Sequence, residues 1–180
     1  MNKKEKIQEL VDEILDGTGL ELRVDHYTIE ENLETREVVL RCAVHHQKSG
    51  KEQMIEGTGV GIIDAFFNGF VTIYSEEFPS LNTIQFVDFS VSAQIDKGRP
   101  GALTDSSSNV TLCVANSDGR NFLFTHESPS LTRSSIEVVL LAGEFFVNSE
   151  RAFIAVYKAL EHARDEGRAD SIASYTKQLT

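Results

Sequence analysis

Three stretches of the chain hold residue types that can do chemistry. In Glu56-Gly57-Thr58-Gly59-Val60-Gly61-Ile62-Ile63-Asp64-Ala65, three glycines leave a strand-like segment and enter a helical one. Bare amides at a helix start can face an anion, and glycine lets a ligand approach the backbone. The Gly-x-Gly-x-Gly spacing is not that of a dinucleotide site, and no Walker lysine follows. Apolar residues just inside the helix, with Asp64 already at its positive end, favour a packing turn on physical grounds alone. Cys42, His45 and His46 are metal-ligand types, but strand alternation puts His45 opposite Cys42 and His46. No second cluster at ligand spacing completes a set, so neither a metal nor a cofactor is expected. His126-Glu127 beside Ser128 and Ser130 suggests a base and a nucleophile. The Gly-x-Ser-x-Gly elbow is missing and spacing identifies no partner acid, so cap and turn roles are expected.

Regular elements must hold these groups in place. Ile7, Leu10, Val11, Ile14 and Leu15 fall on one face of a helix over 3–15, ended by Gly17 and Gly19. Strands are expected at about 20–29, 36–46 and 51–57, the last two joined through Gln47-Lys48-Ser49-Gly50. Ile63, Phe66, Phe67, Phe70, Val71 and Tyr74 then give a helix that stops before Pro79. The Phe66, Phe67 and Phe70 cluster reads as helix core or dimer seam. A similar order returns, with strands at about 83–95, 109–116 and 120–126, a polar stretch over 96–109, and a turn at Asn116–Gly119. An apolar helix is expected from about Leu131 to Phe146, broken at Asn148-Ser149 before a further amphipathic helix. Residues 167–180 read as a frayed polar end.

Placing Gly50 over Gly119 gives an offset of 69 residues, at which Met54 meets Leu123 and Ala65 meets Ser134. The expected class is α+β, with two pseudo-symmetric βββα units packed together and extra N- and C-terminal helices. The first unit covers 20–78 and the second 83–146, inside a domain of 20–146. A helix over 1–19 precedes it, and a helix and polar tail over 147–180 follow. One such unit leaves a sheet face uncovered, so units are expected to pair.

Composition sets outer limits. The 180 residues carry 17 Lys plus Arg against 28 Asp plus Glu, a formal net charge of −11. That charge opposes binding to phosphate backbones and anionic membranes, so neither nucleic acid nor membrane is expected as a partner. A catalytic (β/α)₈ barrel, typically about 250 residues, does not fit. Two cysteines in apolar stretches, no signal-peptide h-region and no long apolar run lead to a cytoplasmic expectation.

Several motifs resemble a known family, the C-terminal allosteric or dimerisation domain of 2-isopropylmalate synthase and the related citramalate synthases. Gly59-Val60-Gly61-Ile62-Ile63-Asp64-Ala65 is similar to the family's Gly-x-Gly-Pro-Val-Asp-Ala. Phe86-Val87-Asp88-Phe89-Ser90-Val91-Ser92-Ala93 resembles Leu-x-Asp-Tyr-x-Val-x-Ala, and Ser128–Ser135 resembles Ser-x-Asp-Ile-x-x-Ala-Ser. Ile62, Phe89 and Ser130 stand where the family has proline, tyrosine and aspartate, and His126-Glu127-Ser128 replaces a second glycine pair. The likeness covers about 20–146. It implies a homodimer that binds leucine or isoleucine, or a related 2-oxo acid, near the glycine turn and the dimer interface. Carried over by position, the ligand-binding candidates are Gly59, Gly61, Asp64, Ala65, Phe89, Ser134 and Ser135. The resemblance implies no catalytic residues, and it makes a synthase catalytic subunit a further candidate partner. Two other classes stay open: a ligand-free interaction module of the same fold, and a small hydrolase or metal enzyme built on His126 with Ser128 or on His45-His46.

Overall fold

The computed structural model describes residues 3–93 and 107–178. The elements are α1 (Lys3–Leu15), β1 (Leu22–Asn32), β2 (Glu37–His46), β3 (Glu52–Gly59) and α2 (Ile62–Tyr74). A 3₁₀ turn (Pro79–Thr83), β4 (Gln85–Ala93), β5 (Ser108–Ala115), β6 (Asn121–Ser128), α3 (Leu131–Asp165) and α4 (Ala169–Gln178) follow. The class is α+β, with two three-stranded antiparallel sheets ordered β1-β2-β3 and β4-β5-β6. Most of the polar stretch expected over 96–109 lies outside the described residues. The chain divides into two compact units: Glu21–Glu144, which holds both sheets, and Met1–Leu20 together with Phe145–Thr180.

In the Glu21–Glu144 unit, alternation decides which face of each strand is buried. Val38, Leu40, Cys42 and Val44 on β2 are at most 3% exposed, while Glu37, Arg41 and their neighbours on the other face stay wetter. Leu40 pairs with Ile29 and Gly57, and Cys42 with Tyr27 and Ile55, which carries the apolar face across the sheet. The second sheet does the same through Val110, Leu112 and Val114, with Phe122 and Phe124 beside them on β6. Tight hairpins set both registers: Gly50 and Gly119 have φ of +68° and +73°, and the Asn116 carboxamide accepts from the amides of Asp118 and Arg120. The first strand of each sheet carries an irregularity, between Val24 and His26 in β1 and between Phe86 and Asp88 in β4.

Helix α2 lies against its own hairpin because glycines let it come close. A Cβ on Gly57 would stand 2.2 Å from the Ala65 carbonyl oxygen, and one on Gly59 2.5 Å from the Ala65 amide nitrogen. Phe66 and Phe70 are wholly buried within one chain. Phe70 packs on Tyr74 with tilted rings 4.5 Å apart and abuts Gly143, where an added Cβ would meet its ring at 2.6 Å. Both phenylalanines are therefore intrachain core, and each contributes roughly 1.5–3 kcal/mol by leaving water. Phe67 turns to β4 and meets Phe86 at 4.8 Å.

In the other unit, α1 buries Val11 and Leu15 against Ala152, with Ile7 and Ile14 half-covered. The helix break expected at Asn148-Ser149 does not occur, since α3 runs unbroken from Leu131 to Asp165. The Asn148 side chain bonds the Leu20 backbone twice, accepting from its amide at 2.6 Å and donating to its carbonyl at 2.9 Å. Mid-helix Asn costs only about 0.5 kcal/mol of propensity, which two buried hydrogen bonds offset. The frayed end expected over 167–180 also gives way: Gly167 turns at φ +67° and α4 follows, although it buries no residue.

Candidate functional site

β3 ends at Gly59 and α2 begins at Ile62, so the glycine segment is the strand-to-helix corner. Gly61 is the N-cap, with extended backbone and no side-chain cap. The amides of Ile62, Ile63 and Asp64 have no carbonyl one turn earlier to bond. The helical ladder starts with the Ala65 amide donating to Gly61 at 2.9 Å. On α3, Ser134 N donates to the Ser130 carbonyl at 2.9 Å and Arg133 N to the Ser130 hydroxyl at 3.2 Å, leaving the Leu131 and Thr132 amides ahead of the ladder.

These two helix starts share a cleft of about 380 Å³. Gly61, Ile62, Ile63 and Asp64 line it from α2, Phe89 and Val91 from β4, and Leu131, Thr132 and Ser135 from α3. Phe89 and Val91 lie on the strand face that carries Leu112 and Val110 inward on β5. As residues of an edge strand they are still 42% and 45% exposed, so they form an apolar wall open to the cleft. A Cβ added at Gly61 would meet nothing within 4 Å, so the missing side chain keeps this corner open. The walls are largely apolar, and Asp64 brings one carboxylate.

Of the seven residues nominated from sequence, Gly61, Asp64, Phe89 and Ser135 line this cleft, while Gly59, Ala65 and Ser134 do not. Gly59 is a close-approach residue under α2, and Ala65 is fully buried. Ser134 is also fully buried, and its hydroxyl meets His126 Nδ1 at 3.1 Å, Ser128 Oγ at 2.9 Å and the Ser108 carbonyl at 3.4 Å. Ser128 further bridges to Ser130, donating to its carbonyl at 2.9 Å and accepting from its amide at 3.2 Å. The hydroxyl nearest His126 is thus sealed from any substrate, and the cluster ties β6 to the start of α3. Sequence reasoning missed Ile62, Ile63, Val91, Leu131 and Thr132. Leu131 and Thr132 sit one turn from Ser135, and that spacing could have nominated them.

Two titratable groups stand apart from the cleft. Burial pushes the Cys42 thiol up to about 12, with Glu137 and Asp25 adding to the effect, so it stays an unreactive thiol. Burial also lifts the Glu144 carboxyl to about 7; the Leu22 amide it accepts from pulls the other way, and nearby Glu21 and Glu137 push it up. Away from both, Asp25, His45 and Glu52 bring ligand-type atoms within 4.8 Å of one another on the outer face of the first sheet. No helix among the described residues is long and apolar enough to cross a membrane. No model of a known protein family matches the chain, and no curated protein matches it.

Proposed function

We propose that the Glu21–Glu144 unit is a non-catalytic regulatory module that binds a small branched-chain amino acid, or the related 2-oxo acid, in the cleft between α2 and α3. One observation carries the reading. Four residues from three separate sequence motifs, Gly61, Asp64, Phe89 and Ser135, line a single cleft of a size suited to a metabolite. Its parts match an amino acid group by group. The amides ahead of the ladder at two helix starts suit a carboxylate, Asp64 suits an ammonium, and Ile62, Phe89, Val91 and Leu131 suit a branched apolar side chain.

The unit is read as two βββα repeats forming a homodimer, as the resemblance to the 2-isopropylmalate synthase regulatory domain implies. The shared strand order, the irregular first strand of each sheet and the 69-residue offset support the repeat. At that offset Gly57, Gly59 and Ala65 correspond to His126, Ser128 and Ser134. Close backbone packing in one half is replaced by a hydrogen-bonded cluster in the other. A ligand regulates only through unequal affinity for two arrangements, so the module would act by favouring one dimer state.

Calorimetry with leucine, isoleucine, valine and 2-oxo acids tests the reading. Micromolar binding of one of them is expected, and it should be lost in Gly61→Leu, whose Cβ meets nothing within 4 Å and whose longer side chain would occupy the cleft. The second reading, a ligand-free interaction module, is favoured by the His126–Ser134–Ser128 cluster that replaces the second glycine pair. Silence across the panel would select it.

A further inference from the structure

Beyond the cleft, and independent of it, the outer face of the first sheet gathers one residue from each strand. Asp25 comes from the β1 irregularity, His45 from β2, and Glu52 is the register partner of His45 on β3. We infer that Asp25, His45 and Glu52 form a binding site for a zinc-type divalent cation, which would pin all three strands together. A carboxylate–imidazole–carboxylate set with room for water suits such an ion.

The bulge is what brings Asp25 within reach. Val24 pairs with Val44 and His26 with Ala43, so Asp25 is the extra residue of β1. Its Oδ1 accepts from Arg23 at 3.0 and 3.2 Å, while its Oδ2 stands 3.9 Å from His45 Nδ1. That nitrogen is buried and has no hydrogen-bond partner. A separation of 3.9 Å exceeds a hydrogen bond and is near the spacing of two donor atoms that share one metal ion. A tetrahedral ion about 2.1 Å from each donor needs donors about 3.4 Å apart, so the set closes from its present span with side-chain shifts of about 1.4 Å or less.

Sequence alternation correctly separated His45 from Cys42 and His46. It could not supply Asp25 and Glu52, because cross-strand neighbours depend on register and on the bulge.

The test uses the tag-free 180-residue chain, stripped with chelator and titrated with Co²⁺ and then Zn²⁺. Expected are one ion per chain at micromolar concentration, a cobalt ligand-field spectrum, and displacement of cobalt by zinc. His45→Gln and Glu52→Gln should each weaken binding by more than the roughly 10–100-fold typical of losing an outer-sphere partner. Glu52 is exposed, so its variant decides the matter even if His45→Gln fails to fold. His162→Gln, which breaks the helical His162–Glu166 pair at 3.2 Å, should change nothing. Saturation only at millimolar metal, equal affinity in Glu52→Gln, or loss of binding in His162→Gln would overturn the assignment.

Discussion

Replacing Glu144 by Gln should change how stability depends on pH more than it changes stability itself. The carboxyl is half-buried on α3 and accepts from the Leu22 amide. Its protonation midpoint rises from an ordinary 4.5 to about 7, chiefly through burial. A raised carboxylate midpoint means the folded chain binds the proton more tightly than the unfolded chain. The stabilising difference is therefore full below about 4.5 and is lost as pH climbs through about 7. At 1.36 kcal/mol per unit, the loss reaches a ceiling of about 3 kcal/mol at pH 8. Gln keeps an oxygen for the Leu22 amide and never ionises, so the variant should lack this slope. Urea unfolding of both chains at pH 5, 6, 7 and 8 measures it. Taking the difference between the two chains cancels the histidines and every other group common to both. Part of that loss is complete by pH 5, so the wild type should lose up to about 2.5 kcal/mol relative to the variant between pH 5 and 8. Parallel pH profiles would refute the argument and show that the Glu144 carboxylate is already ionised and well solvated in the fold.

Gly59→Ala should destabilise the chain by about 1–3 kcal/mol, because its Cβ would press on Ala65 backbone 2.5 Å away, whereas Gly61→Ala should stay within about 0.5 kcal/mol. Differential scanning calorimetry ranks the two, and Gly59 is accordingly a poor probe of ligand binding. Phe70→Glu would bury an unpaired charge between α2 and Gly143, so circular dichroism should show loss of the fold itself. A folded monomer in sedimentation would instead restore Phe70 to a dimer seam. Ser134→Ala should cost about 1–3 kcal/mol by stranding partners around a fully buried hydroxyl, with urea midpoints as the readout. No change there would mean that His126 and Ser128 find other partners.

Local pattern made the strands and first helices readable. β2 alternates cleanly, and Gly50 and Gly119 mark the turns where positive φ is needed. The continuity of α3 was not readable, because Asn148 looks like a breaker until its partner, Leu20, is known from the fold. The candidate site divides along the same line. Gly61 and Asp64 stand in a motif and can be found by eye, while Val91 and Thr132 join the cleft only through the placement of β4 and α3. Gly59 misleads in the opposite way, since glycine beside a site and glycine beneath a helix look identical in sequence.

The irregularities in β1 and β4 affect what can attach to the sheets. Each lies in an outer strand, where a neighbouring polypeptide could extend the sheet by main-chain pairing. A straight incoming strand would fall out of step after Val24 or Phe86, losing alternate bonds and turning its side chains to the wrong side. Unintended polymerisation along these borders is therefore discouraged by one surplus residue in each, without a proline or a run of lysines.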